Sequence, residues 1–286
     1  MRTAILRRLT LAAITVIAGG LISATLVRYA PGFGTDERQL DARLSSDSIQ
    51  AIRNANSEER NILHFYSGCI RRALHGDFGE SGSLNRPVRQ LLQERAPVTL
   101  AVAGGGLALA WGVAALAVLI AWLFRISAVE FTFTTFSRIL LCLPAGVLAL
   151  LSVLVSAPGY LAIALIVFPK VFRYLSNLVA GVRQMPHIIT AYAKGVSEPA
   201  MFFRHVVPVV KREVLALAGV SIGIAISAAI PVEALCGIPG IGQLAWQSAL
   251  ARDLPLLINI SMLVIACVVL ANSGADLLSE ERRQPV

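Results

Sequence analysis

The sequence predicts an all-α integral membrane protein with six transmembrane helices. Hydrophobic residues make up 56% of the 286 residues and charged residues only 15%, whereas soluble domains contain about 25% charged residues. The charges also leave long uncharged runs, and a membrane-spanning helix needs about 20 mostly apolar residues. Cytoplasmic loops of membrane proteins carry an excess of lysine and arginine, which accounts for the net charge of +8. This charge therefore requires no nucleic-acid partner.

The first predicted transmembrane helix covers residues 1–30. Between Arg8 and Arg28 lies an uncharged run of 19 residues, and three arginines occur within the first eight positions. Basic residues favour the cytoplasmic side of a membrane, so we place the N-terminus in the cytoplasm. A cleavable signal peptide begins in the same way, and cleavage of this helix stays open.

Residues 31–95 are predicted to form an extracytoplasmic segment. From Asp36 to Arg95 the chain has nine acidic and nine basic residues. A neutral segment that follows a basic N-terminus belongs on the outer side under the positive-inside rule. We expect helices in it around 45–54 and 58–74.

Residues 96–286 are predicted to form a core of five further spans. The second span lies between Arg95 and Arg125, and the uncharged run 139–169 is too long for one helix. We therefore predict a tight hairpin at Ser156–Gly159 that joins span three (133–157) to span four (159–180). Residues 214–232 and 254–275 are spans five and six. The segment 181–213 has a net charge of +3, which places it and the C-terminus in the cytoplasm.

A few ionisable residues fall within or beside these spans. Long basic side chains near helix ends can extend to the headgroups, so Arg138, Lys170 and Arg173 either do this or line a wet path. An ionisable group at membrane depth suggests function. For Glu233 this leaves two alternatives, a role in gating or lumen electrostatics and a structural hydrogen bond; for Asp276 we favour a structural role.

The sequence shows no catalytic, metal or cofactor motif. HExxH, GxSxG and GxxxxGK[ST] do not occur, and the four histidines and four cysteines lack ligand spacing. These observations favour a conduit or a receptor over an enzyme.

The cytoplasmic segment predicts a helix-turn-helix. Gly195 suits the left-handed position that ends a helix, and Ser197 can cap the next helix, with Glu198 and Pro199 in its first turn. Met201, Phe202 and His205 then share one helix face, which indicates packing.

Three stretches carry a resemblance to a known family. Ala191, Gly195 and Pro208 resemble the EAA loop, at about 185–210, of permease subunits in binding-protein-dependent ABC importers. Two others resemble the dipeptide/oligopeptide branch of that family. They are GDFGES at 76–81 followed by Arg86-Pro87-Val88, and Glu233 followed by IPGIG at 238–242 and Arg252-Asp253.

This resemblance implies a type I ABC importer permease without a cofactor, in a bacterial-type inner membrane. The implied partners are a second homologous permease, two ATP-binding subunits and an extracytoplasmic solute-binding protein. Peptides or similar small solutes would cross by alternating access. The implied ATPase-coupling residues are Ala191, Lys194, Gly195, Ser197, Arg204 and Pro208, with Pro208 marking where the coupling helix gives way to span five. Lys194 and Arg204 either pair with acidic residues of the ATPase or are solvated.

The outer turn and one span supply the expected translocation path or gate: Glu233, Pro239, Gly240, Gly242 and Arg173. Several alternatives stay open at this point. The same permease branch handles nickel, glutathione or sugar-like solutes, and the short connection between spans three and four leaves the solute undetermined. The other classes are a secondary transporter and a membrane-embedded enzyme, and this sequence lacks the features expected of either class.

Overall fold

The computed structural model describes residues 2–29, 62–124 and 127–280. Within these ranges the chain is almost entirely helical, apart from a two-stranded hairpin. Its elements are α1 (Arg2–Tyr29), α2 (Ile62–Leu74), β1 (Glu80–Ser81), β2 (Arg86–Pro87), α3 (Val88–Phe124), α4 (Ser127–Cys142), α5 (Ala145–Leu154), α6 (Gly159–Arg183), α7 (Pro186–Ala193), α8 (Glu198–Met201), a π-helical turn (Phe202–Val206), α9 (Val207–Cys236), α10 (Ile241–Leu250) and α11 (Leu254–Glu280).

The helices confirm the predicted class of all-α membrane protein. Four helical stretches are long and apolar enough to cross a membrane: Val88–Phe124, Gly159–Arg183, Glu198–Cys236 and Leu254–Ala275. The pair α4 and α5 provides a fifth if it is counted as one broken span. The apolar part of α1, Thr10–Leu26, is shorter than these, so a sixth span stays a prediction.

Span three differs from the prediction of one helix over 133–157. The helices α4 and α5 are bent by 103° at Leu143-Pro144, where Pro144 has the extended ψ of 146°. Proline has no N–H for the helix and disfavours helical geometry in the residue before it. The predicted hairpin is confirmed, because α5 ends at Leu154 and α6 begins at Gly159.

The described residues divide into two units, each with its own packing. The first unit comprises the chain up to Ala96 together with Leu244–Ala266. In it Ala24, Tyr66 and Ile258 form a small buried cluster, and the Tyr66 hydroxyl donates to the carbonyl of Ile17 at 2.5 Å. Helix α2 thereby packs on α1. It confirms the described part of the helix expected at 58–74, whereas the helix expected at 45–54 lies outside the described residues.

The second unit comprises Pro97–Gln243 and the chain from Cys267 onward. Its core is centred on α6, whose Ile163, Val167 and Phe172 are buried among residues of α3 and α9. Small residues let these helices approach closely. A Cβ on Gly106, for example, would lie 2.7 Å from both the Ile163 side chain and the Tyr160 carbonyl.

Candidate functional site

The helix pair at 186–206, here called the coupling segment, contains a glycine-terminated turn. Gly195 has φ of +76°, which glycine adopts without the steric cost that a Cβ brings. Its N–H bonds the carbonyl of Tyr192 at 3.0 Å, and the next N–H, of Val196, bonds the carbonyl of Ala191 at 3.3 Å. These two bonds form a Schellman motif and confirm the predicted position of Gly195 at the end of α7.

The second helix of the pair begins as predicted, but with a different contact at its start. Ser197 occupies the N-cap position, and its side chain makes no capping hydrogen bond. The Tyr192 hydroxyl instead donates to Glu198 Oε2 at 2.9 Å. This bond joins α7 to α8 across the turn.

The predicted boundary at Pro208 lies one residue from the start of α9 at Val207. Glu198–Cys236 is nevertheless one continuous helical run, so the coupling helix continues into span five without a break. A π-helical turn precedes the proline, and in it the Val207 N–H bonds the carbonyl of Phe202, five residues back. This wider turn relieves the clash that the ring of Pro208 would otherwise make inside a helix.

A hydrophobic cluster fastens the coupling segment to the C-terminal ends of α3 and α6. Met201 is buried against Trp122, Val182 and Ile188, and the rings of Trp122 and Phe202 are 5.7 Å apart. The Arg183 guanidinium lies 4.3 Å from the centre of the Trp122 ring. The predicted packing role of Met201 and Phe202 is thus confirmed.

The sequence interpretation missed Trp122 and Arg183. A usable signal existed, because a tryptophan near the end of an apolar run is typical of a membrane interface. Trp122 is 1% exposed, and its Nε1 has no hydrogen-bond partner among the described residues. Packing and the stacked guanidinium therefore hold this ring in place.

A second glycine-terminated turn lies at the C-terminal end of α9 and closes on Glu233. Gly237 ends the helix with φ of +66°, and the Gly242 N–H donates to Glu233 Oε2 at 2.6 Å. The Glu233 side chain is fully buried. A Cβ on Gly240 would overlap the Glu233 carboxylate, and one on Gly242 would lie 2.5 Å from the Ile230 Cα.

Residues 112–281 match the family described as binding-protein-dependent transport system inner membrane component. The chain belongs to this family. It is 29% identical to the oligopeptide transport system permease protein OppB of Salmonella typhimurium and 28% identical to OppB of Escherichia coli K12. Each similarity covers 96% of this chain and 95% of the relative.

Membership confirms the predicted class of protein. The chain is a multi-pass permease subunit of a binding-protein-dependent ABC transport system, rather than an enzyme. The secondary transporter and the membrane-embedded enzyme are thereby set aside. The family also implies a solute-binding protein and an ATPase as partners.

In this permease the expected coupling residues share one short segment but differ in burial. Ala191 is buried in the cluster around Met201, whereas the other five are exposed: Lys194, Gly195, Ser197, Arg204 and Pro208. A Cβ on Gly195 would meet no described atom within 4 Å apart from its chain neighbours. The turn is therefore open to another molecule.

The expected path residues do not all come together. Glu233, Gly240 and Gly242 meet in one turn with the exposed Pro239. The bond from Gly242 matches the structural alternative for Glu233. Arg173 is exposed on α6. It lies fourteen residues from the start of that helix at Gly159, which is about 21 Å at 1.5 Å per residue. The side chain of Asp276 lies outside the described residues.

Proposed function

We propose that this chain is one of two permease subunits of an ABC importer for peptides or similar small solutes. It pairs with a homologous permease, two ATP-binding subunits and an extracytoplasmic solute-binding protein. The OppB relatives are oligopeptide transport permeases, and they support a peptide solute together with the sequence motifs. Nickel, glutathione and sugar-like solutes are the alternatives within the same class.

One observation carries the mechanism: an open turn mounted on a rigid support. The tip at Lys194 and Gly195 is exposed, while Met201 and Phe202 behind it are packed on Trp122. A subunit without its own nucleotide site receives the energy of ATP hydrolysis through such an element. The tip docks on an ATP-binding subunit, and exposed Lys194 and Arg204 pair with acidic residues there.

The continuous helix gives this movement a direct route into the membrane. Glu198–Cys236 carries a displacement of the tip along span five to the turn at Glu233. Closure of the ATP-binding subunits then reorients the spans by alternating access. Glu233, Pro239, Gly240 and Gly242 belong to the outer gate in this scheme, and Arg173 lines the path.

The proposed topology places both termini in the cytoplasm. Residues 1–30 form the first span, 31–95 the extracytoplasmic segment, and 96–286 the permease core. The basic coupling segment lies inside, as the positive-inside rule requires. The turn at the opposite end of α9 then faces the solute-binding protein.

Reconstitution tests the proposal. The permease is co-purified with candidate permease and ATPase partners in nanodiscs, and ATP hydrolysis is measured with a solute-binding protein loaded with peptide, nickel, glutathione or sugar. We expect stimulation with the peptide-loaded protein. Stimulation by another ligand alone would identify that ligand, rather than peptide, as the solute class. The absence of stimulation by every ligand would overturn the proposal of an importer.

A further inference from the structure

Asp253 connects two stretches of the first unit that are far apart in the sequence. It directly precedes α11 and is 4% exposed. Its Oδ2 accepts hydrogen bonds from the Ser81 hydroxyl at 2.6 Å, the Ser83 hydroxyl at 2.8 Å and the Ser83 N–H at 3.0 Å. Its Oδ1 accepts the Leu256 N–H at 3.2 Å, so the same carboxylate caps α11.

A second hydrogen bond repeats this link within α11. The Asn259 side-chain amide donates to the carbonyl of Phe78 at 3.0 Å and to that of Pro255 at 2.7 Å. Two side chains from the first turns of α11 thus hold the segment 78–83. That segment includes most of GDFGES, and Asp253 belongs to the Arg252-Asp253 stretch.

The hairpin needs this support, because its own pairing is short. Strands β1 and β2 have two residues each and pair Glu80 with Pro87 and Ser81 with Arg86. An isolated hairpin is marginally stable even with longer strands.

The buried carboxylate depends on the hairpin in return. Burying a charge is costly unless hydrogen bonds compensate it, and hydrogen bonds to a charged acceptor are stronger than neutral ones. The three bonds from Ser81 and Ser83 supply most of this compensation. Asp253 and the hairpin therefore stabilise each other.

We infer that Asp253 is a positioning residue that fixes the hairpin Glu80–Pro87 to α11, so that both move as one body during transport. This inference rests on the proposed function, which places the hairpin on the side of the solute-binding protein. The exposed Glu80, Leu84 and Asn85 then present to that protein a surface whose position follows α11.

Hydrogen exchange on the permease in nanodiscs tests the fixation directly. We compare Asp253→Asn with the double variant Ser81→Ala/Ser83→Ala, which leaves the Asp253 carboxylate and its bonds from the Leu256 and Ser83 N–H groups in place. Ser83→Ala alone is a third variant, because Ser81 Oγ also accepts the Leu84 N–H within the hairpin at 3.1 Å. The control is Asp77→Asn, because Asp77 accepts the Gly79 N–H within the same loop without reaching α11. Amides of 79–88 should exchange at least about tenfold faster in both test variants, with little change in the control.

The combination of the test variants is a second check on the same bonds. Because Asp253→Asn and the double serine variant both weaken the bonds between the serine hydroxyls and the Asp253 carboxylate, their joint effect should fall short of the product of the separate effects. Unchanged exchange at 79–88 in the double serine variant, or fully multiplicative effects, would overturn the inference. If Asp253→Asn fails to fold, Ser83→Ala decides, because it removes a hydroxyl bond to Asp253 and leaves the bond from the Leu84 N–H to Ser81 Oγ in place.

The role of the hairpin towards the solute-binding protein is tested by measuring ATP hydrolysis at increasing concentrations of that protein. The half-saturating concentration should rise several-fold in the double serine variant, while the maximal rate stays near that of the wild type. Faster hairpin exchange with an unchanged half-saturating concentration would contradict a role towards the binding protein. Absence of stimulation in the wild type would contradict the proposed function, and the exchange result would still test the fixation.

Discussion

The two glycine-terminated turns that flank the helical run Glu198–Cys236 resemble each other in backbone conformation and differ in packing. Gly195 and Gly237 both adopt positive φ to end a helix. A Cβ on Gly195 or on Gly237 would meet nothing within 4 Å, whereas Gly240 and Gly242, which follow Gly237 in the second turn, lie against Glu233 and Ile230. The first turn has room for another chain, and the second is closed on its own carboxylate. Glycine thus leaves open space at the tip of one turn and permits close internal packing in the other.

Gly195→Arg should produce the largest functional loss. The side chain has space within this chain, so the folded protein should lose no more than the roughly 1–2 kcal/mol of a left-handed residue. The bulky cation at the tip should nevertheless abolish transport-coupled ATP hydrolysis. The effect on folding is measured by membrane insertion and thermal stability, and the effect on coupling by ATP hydrolysis in nanodiscs.

Gly195→Asn is the matched control, because asparagine tolerates the left-handed conformation without a large side chain. It should retain most of the coupled hydrolysis. Normal coupling in Gly195→Arg would show that the open turn does not dock on the ATPase.

Trp122→Ala tests the support behind the open turn. Removing a buried aromatic side chain costs about 3–5 kcal/mol and should loosen the contact with Phe202 and Arg183. We expect a lower melting temperature and partial uncoupling. Trp122→Phe should be much milder, because the Trp122 Nε1 has no hydrogen-bond partner among the described residues. Equal losses in both variants would indicate that the indole has another role.

How well the sequence predicts these regions depends on how far apart in the chain the residues that form each feature are. The position of Gly195 and the start of α6 at Gly159 follow from local turn chemistry and were predicted. The bend at Pro144 has a local signal, the proline itself, which the distribution of charges along the chain does not show. The contact between the rings of Phe202 and Trp122 joins residues eighty positions apart. The bond between Ser81 and Asp253 joins residues 172 positions apart, a pairing that no single sequence specifies.

Gly240→Ala tests the closed turn through stability. The new methyl group would overlap the buried Glu233 carboxylate, and overpacking of this kind costs about 1–3 kcal/mol. The melting temperature of the purified permease should fall accordingly. Gly104→Ala is the control, since a Cβ there meets nothing within 4 Å and alanine favours a helix. A neutral Gly240→Ala would mean that the turn is more open than its contacts indicate.

Tyr192→Phe is expected to have the smallest effect, and it sharpens the comparison within the open turn. The change removes the hydroxyl that donates to Glu198 Oε2 at 2.9 Å while keeping the ring. A hydrogen bond to a charged group contributes about 1.5–3 kcal/mol when buried, and partial exposure of this pair reduces that to about 1 kcal/mol or less. Global stability should therefore hardly change. The amides of Gly195 and Val196 should exchange a few times faster, because α7 and α8 lose the bond that braces the turn between them. Coupled hydrolysis should fall modestly if docking needs a rigid tip. Unchanged exchange at the turn would show that the Schellman bonds alone hold it.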